Sequence, residues 1–259
     1  MKQMYIECKM GVAGDMLMSA LYGLLDDKDK FLETMNQAGI PGVHLEAEPK
    51  ESCGIMGTHI KVFVHGQEEE TTDSQHNSKV PVCEHHEHAH THHHFSVGHI
   101  ADCIDSLKLP EEVLVHAKEV YKLIAEAEAK VHGCEIGDVH YHEVGALDAV
   151  ADVVGVCYAM YLLKPEKVMA SSIHVGCGTV KCAHGILPVP APATAELLKG
   201  IPVYGGEIKG ELCTPTGAAL LKYWVKEFGD LPVMKIQQIS YGMGTRSFNR
   251  PNCVRIFSE

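Results

Sequence analysis

Positive charge is what this chain has least of: 22 lysines and arginines stand against 34 aspartates and glutamates, a formal net charge of −12 with histidine neutral. Affinity for nucleic acid comes chiefly from Lys and Arg neutralising phosphates, so that balance argues against a nucleic-acid partner, while leaving room for a local positive field over one phosphate. Long apolar runs are absent too. No stretch of roughly 18 charge-free apolar residues occurs, so nothing reads as membrane-spanning and no membrane partner is expected. The opening stretch MKQMYIECKMGVAGDMLMSALYGLL places Glu7, Lys9 and Asp15 where a signal peptide needs an unbroken apolar core. A cytoplasmic location is the expectation. CxxC pairs are also missing. The ten cysteines follow no disulfide-framework spacing, and a cytosolic chain keeps them as thiols that serve mostly as small apolar residues.

What is there is ordinary in bulk and concentrated in places. A chain of 259 residues, 46% apolar and 22% charged, is long enough for one large domain or two small ones with a proper core. The densest chemistry lies in HYHEVGALDAVAD, residues 140–152. From Ala146 the pattern ALDAVADVVGVCYAMYLL is apolar nearly all round, as in a helix packed inside a domain. Asp148 and Asp152 are four apart, so a helix puts both carboxylates on one face, and His140 and His142 alternate in an extended lead-in. Oxygen ligands beside imidazole suit a divalent cation such as Mg, Mn or Ni. Taken singly, each residue has a plain structural reading. Together with Glu143 they favour a site, because burying several ionisable groups is costly unless they pair or hold a metal.

In chain order, residues 3–8 read as a strand, followed by a turn with Gly11, Gly14 and Asp15 and a helix to about Leu25. Strand, glycine loop and helix N-terminus make a candidate anion cradle, although a tight turn that needs glycine explains the same residues. A helix over 29–37 and strands over 43–47 and 58–64 complete a β-α-β-β unit, compatible with half of a ferredoxin-like or related sandwich.

Residues 66–95 break the pattern. GQEEETTDSQHNSKVPVCEHHEHAHTHHH is polar, aperiodic and carries His85, His86, His88, His90, His92, His93 and His94. It reads as a flexible insertion whose imidazoles bind Ni, Cu or Zn in interchangeable geometries; a solvated linker is the plain alternative. Catalysis is not expected there, since a catalytic group must be held in place.

Ser96 caps a helix, Pro110 precedes an amphipathic helix ended by Gly133, and the buried helix leads to a strand in VMASSIHVGCGTV. The next loop contains His174, Lys181, Cys182 and His184 among glycines, and three prolines then fix an extended approach to another helix. Lys181 offers a point charge for phosphate, and Cys182 with His184 offers metal ligands two apart. In ELCTPTGAA, Thr214 is an N-cap and Pro215 takes the first helical position, with Thr216 just inside and the helix expected to run to Phe228. PVMKIQQIS reads as a strand, and Gly242 to Arg246 as a glycine-rich turn whose arginine suits phosphate. The fold class expected is α/β, a mixed sheet with packed helices: a βαββ unit over 1–65, the insertion over 66–95 and a main domain over 96–259 that holds the site, unless all form one composite domain.

HYHEVGALDAVADVVG, HVGCGTVKCAHGILPVPAPATAELLKG, ELCTPTGAALL and YGMGTR with RPN, in this order after GVAGDM and a histidine-rich region, resemble the N-terminal portion of nickel-insertion proteins of LarC type. The resemblance covers nearly the whole chain. It implies nickel insertion into pyridinium-3,5-bisthiocarboxylic acid mononucleotide, giving the nickel-pincer nucleotide of lactate racemase and related enzymes. In the family this is a cyclometallation that consumes CTP with a divalent metal, Mn or Mg. Members continue well beyond this length, and the CTP and metal site belongs to that C-terminal portion. The family usually has serine in the first glycine loop, where this chain has Met10.

A mononucleotide needs a phosphate site, for which Gly11, Gly14, Asp15, Lys181, Thr214, Thr216 and Arg246 are candidates. Nickel needs groups that can hand it over, for which His140, His142, Glu143, Asp148, Asp152, Cys182 and His184 qualify. A base must take the ring proton, and His142 or Glu143 can do so, with Asp148 the third catalytic candidate. Expected partners are the C-terminal half of the insertion protein, the racemase that accepts the cofactor and further copies of this chain. Three rivals remain: a nickel-storing metallochaperone, a phosphohydrolase using Asp148 and Asp152, and a module that only binds its C-terminal half.

Overall fold

A computed structural model describes residues 1–68, 95–141, 146–182 and 184–259. Strand β1 (Gln3–Glu7) buries its middle three residues and leads through a tight loop into helix α1 (Gly14–Gly23). Asp27 caps helix α2 (Lys28–Gln37) by accepting from the Lys30 N–H at 3.0 Å. Strands β2 (Val43–Ser52) and β3 (Ile55–Val64) run longer than their alternation suggests. Their two-residue turn, Cys53 and Gly54, has φ of 51° and 79° at its two positions, the left-handed pair whose twist matches a hairpin and carries pairing to Ser52↔Ile55. Strand β4 (Gln67–Glu68) folds back on β3.

After residue 94 come β5 (Phe95–Ser96), α3 (Val97–Asp105), α4 (Glu111–His132), a 3-10 turn, β6 (His140–Tyr141) and α5 (Leu147–Leu163). Ser96 caps α3 through the His99 N–H at 3.3 Å, and Gly133, with φ of 65°, ends α4. In α5 every residue from 149 to 160 is buried except Asp152, as the all-round apolar pattern requires.

The expected single strand in VMASSIHVGCGTV is instead broken into β7 (Lys167–Ala170), β8 (Ile173–His174), β9 (Gly176–Cys177) and β10 (Thr179–Cys182). The positive φ at Gly176 and Gly178 turns the chain between partners. There follow β11 (Gly185–Pro188), α6 (Pro192–Leu197), β12 (Val203–Tyr204), β13 (Gly210–Glu211), α7 (Pro215–Trp224), β14 (Glu227–Phe228), β15 (Gln238–Met243) and β16 (Cys253–Ser258). Helix α7 stops before Phe228 because Val225 is extended and the Lys226 N–H bonds to the Val168 carbonyl at 3.0 Å, so sheet pairing captures residues 227 and 228. Strand β15 starts later than the apolar residues of 232–240 suggest, and continues through Gly242 and Met243, which pair with Val254 and Cys253. Those two residues therefore belong to a strand and not to the expected turn.

The main sheet runs β14-β7-β1-β16-β15-β3-β2, with β4 on β3. Strand β1 is parallel to β7 and antiparallel to β16, which makes the sheet mixed. Strands β2 and β3 are separated from β1 by β15 and β16, so the N-terminal strands do not form a sheet of their own. The fold is α/β as the pattern implies. Met4 and Ile6 of β1 point into the large core with α1, α4, α5 and α7, while Tyr5 joins Met169, Phe257 and Met234 on the opposite face. Beyond β1 the chain turns straight into the glycine loop. Loops at the carboxyl ends of parallel strands are where ligands of α/β sheets bind.

Candidate functional site

Three helix entrances meet at the end of β1. The loop before α1 is tied to the segment before α7 by two backbone bonds, Val12 N–H to the Leu212 carbonyl at 2.9 Å and Thr214 N–H to the Val12 carbonyl at 3.1 Å. Gly11 has φ of 83°, and a Cβ there would fall on the Leu212 carbonyl. Thr214 caps α7 by accepting from the Gly217 N–H at 3.2 Å, and its hydroxyl lies 3.1 Å from that of Thr216. Gly217 lies flat against Val12 and Ala13, so a Cβ would be 2.8 Å from the Val12 carbonyl carbon. On the other side of α1, a Cβ at Gly14 would stand 2.6 Å from Asp152 Oδ2. The site is thus bounded by the first turns of α1, α5 and α7.

The first two of those turns carry acids, Asp15 and Asp148; the first turn of α7 carries none. Burial pushes the Asp15 carboxyl above the usual carboxylate range, and Asp148 adds to the shift, while His59, the Met16 N–H and Lys50 oppose it. His59, 3% exposed on β3, donates from Nδ1 to the Met243 carbonyl at 2.9 Å. Burial and then Lys50 hold its imidazole below the ordinary value, against the pull of Asp15. Asp148 Oδ1 is buried with no hydrogen-bond partner among the described residues. A buried carboxylate oxygen left open is costly, and it is the kind of atom a cation or a substrate proton satisfies. Tyr121 of α4 has its phenol raised well above the usual value by burial and then by Asp148, so it faces the site as a neutral hydroxyl.

The family model described as Nickel insertion protein matches residues 4–259. The chain belongs to the nickel insertion protein family. Relatives named pyridinium-3,5-bisthiocarboxylic acid mononucleotide nickel insertion protein include those of Desulfitobacterium hafniense, 38% identical over 256 residues, and Geobacillus kaustophilus, 37% identical over 257. The match covers 99% of this chain in both, and 58% and 59% of those proteins. A Staphylococcus epidermidis protein of the same name is 36% identical over 98% of this chain and 58% of its own length. The chain therefore spans about three-fifths of the curated relatives it matches. No solved structure matches it.

For a nickel insertion protein the distribution of the remaining candidates matters. Gly11, Gly14, Asp15, Asp148, Asp152, Thr214 and Thr216 lie at the helix junction. Arg246, three residues beyond β15, donates from Nη1 to the carbonyl of Glu211, the neighbour of the Leu212 that holds Val12, at 2.7 Å, while its own carbonyl accepts from Asn252 Nδ2 at 2.9 Å. Lys181 and Cys182 stand apart on the β10–β11 hairpin, Lys181 exposed and Cys182 half-buried. His184, on the turn of that hairpin, meets His132 at the end of α4, with ring centroids 4.9 Å apart. The His140 backbone pairs with Ser96. His142 and Glu143, and His85, His86, His88, His90, His92, His93 and His94, lie outside the described residues. Among the described residues no three His, Cys, Asp or Glu are already gathered as a metal-ligand set.

Two residues, one beside the junction and one on the last turn of α4, escape sequence reasoning. His59 is one histidine in the strand pattern THIKVFV, and nothing local separates it from a surface position. His132 reads as an ordinary helix-terminal histidine, and its meeting with His184 depends on the tertiary fold.

Proposed function

We propose that this chain carries the metal- and nucleotide-handling part of nickel insertion into pyridinium-3,5-bisthiocarboxylic acid mononucleotide, the substrate named for its relatives. The observation that supports it most is the junction of helix entrances, where Asp148 keeps a buried acceptor oxygen open beside Asp15 and Asp152. Its two sides suit the two ends of such a substrate. The α7 entrance, capped by Thr214 and free of acids, offers the phosphate the Thr216 N–H and the positive end of a helix dipole, since Pro215 has no N–H and those of Gly217 and Ala218 bond to Thr214. Lys181 is the further phosphate candidate, from the exposed hairpin. The acidic turns of α1 and α5 repel phosphate and attract the cation, so Asp15 belongs with the metal side.

Nickel enters as a divalent ion and is the cargo of the reaction. When the carbon–nickel bond forms, the ring C–H bond breaks, its electron pair stays on carbon and one proton leaves, so the metal remains divalent and no oxidant is needed. Asp148, His142 or Glu143 takes that proton. Asp152, His140, Cys182 and His184 complete the proposed metal-handling groups, and residues 83–94 act as the nickel reserve. The finer assignment is a cyclometallase of the lyase class that uses CTP with Mn or Mg on the C-terminal portion. We place it in the cytoplasm as a homo-oligomer that passes its product to the racemase. No helix among the described residues is long and apolar enough to cross a membrane.

The test is to mix this chain with the C-terminal portion of a relative, CTP, Mn and Ni, and to follow the mononucleotide by mass spectrometry. Gain of one nickel with loss of protons, dependent on this chain, is expected. Unchanged mononucleotide, with both portions folded, would overturn the reading.

A further inference from the structure

Away from the helix junction, the last turn of α4 and the β10–β11 turn bring two imidazoles and a carboxylate together. His132 and His184 have ring centroids 4.9 Å apart with planes tilted by 49°, and His132 Nε2 is 3.4 Å from a Glu128 carboxylate oxygen. Glu128 and His132 are four apart on one helix face, so the helix fixes their spacing, while His184 comes from a different element. Glu128 is largely shielded, at 18% side-chain exposure, and His132 is at 35%, which leaves a carboxylate at the base and imidazoles at the rim. The place also carries a field. Glu128 and His132 stand in the last turns of a 22-residue helix, and that end of a helix dipole favours a cation. The neighbouring Lys130 ammonium does not compete, because it pairs with Glu196 at 2.5 Å.

We propose that His132, His184 and Glu128 form a docking site for a divalent transition-metal ion, distinct from the carboxylates at the helix junction. Two borderline nitrogens and one oxygen select Ni, Cu or Zn over Mg or Ca. With the remaining positions left to water, the ion is held loosely enough to be released. A small rotation of the exposed His184 ring closes the set on a shared ion. The identification of that ion as nickel rests on the proposed function; the existence of the site does not.

The test uses the full chain with His85, His86, His88, His90, His92, His93 and His94 changed to Asn, so that the tract does not mask the His132–His184 site. Equilibrium dialysis with Ni(II) alone is expected to show saturable binding that weakens by at least about tenfold in His132→Gln and again in His184→Gln, with the thermal midpoint in metal-free buffer unchanged. Cu(II) electron paramagnetic resonance is expected to show nitrogen couplings that are lost in the double variant. Binding and couplings equal to those of the parent in the double variant would overturn the site. If Ni(II) binds here but the mononucleotide gains no nickel, the proposed function fails and the site stands. If nickel insertion proceeds and the substitutions leave Ni(II) binding unchanged, the site alone fails.

Discussion

At the scale of the residue, close approaches that lack a side chain hold the junction together. Gly14 has no room for a methyl group because the Asp152 carboxylate occupies that space. Gly14→Ala is expected to cost roughly 2 kcal/mol or more in urea unfolding, since the collision falls between two helix backbones that other contacts hold in place. His174 supports a pH prediction. It is 3% exposed, its ring is stacked on Tyr204 at 4.8 Å, and its Nδ1 donates to the Lys9 carbonyl at 3.2 Å. Burial lowers its pKa from the ordinary 6.5, and Arg250 adds to the shift while the Lys9 bond opposes it. The native protein therefore keeps this imidazole neutral while the unfolded chain binds a proton below about 6.5, so its contribution is intact above that pH and is lost as pH falls toward the lowered native value. Unfolding measured at pH 8 and 5.5 should show the wild type losing more stability than His174→Phe, by at most about 1.4 kcal/mol per pH unit. Equal losses would contradict the buried neutral imidazole. The pairing of Asp148 with Asp152 was legible because carboxylates four apart stand out in an apolar helix. Their meeting with Gly14 and Asp15 was not, since only the tertiary fold joins those segments.

Elements were legible where local chemistry decides them. Ser96 and Thr214 as caps, Pro215 in the first turn of α7 and Gly133 after α4 all stand where capping preferences put them. Thr214→Ala should therefore lower stability by about 1 kcal/mol in denaturant unfolding, and loss of the cap should also weaken phosphate binding at that entrance. A variant as stable as the parent would show that the backbone ties to Val12 hold the entrance without the cap. Elements were misjudged where the sheet decides them. Residues 227 and 228 look helical in isolation but pair with β7, and Gly242 looks like a turn but sits in β15, opposite Val254. Propensity yields to non-local pairing in both cases.

At the scale of the whole molecule, the parallel strands β1 and β7 direct the chemistry to one end of the sheet, where the first turns of α1, α5 and α7 meet. That arrangement could be anticipated as a class, α/β, but not as a strand order, because pairings such as β1 with β16 join the two ends of the chain. The histidine-rich segment is expected to be separable from this frame. Deleting residues 83–94 should lower nickel capacity in equilibrium dialysis while the circular dichroism spectrum and mononucleotide affinity stay as in the parent; loss of folding would contradict that. The central claim, that the helix junction handles both nucleotide and metal, is tested most directly by calorimetric titration of the pyridinium mononucleotide, with and without Ni(II), into this chain and into Asp148→Asn. The account predicts binding by the parent that nickel strengthens, and a variant that folds normally and binds the free nucleotide but loses the nickel-dependent gain. A variant that keeps the full nickel-dependent gain would contradict it.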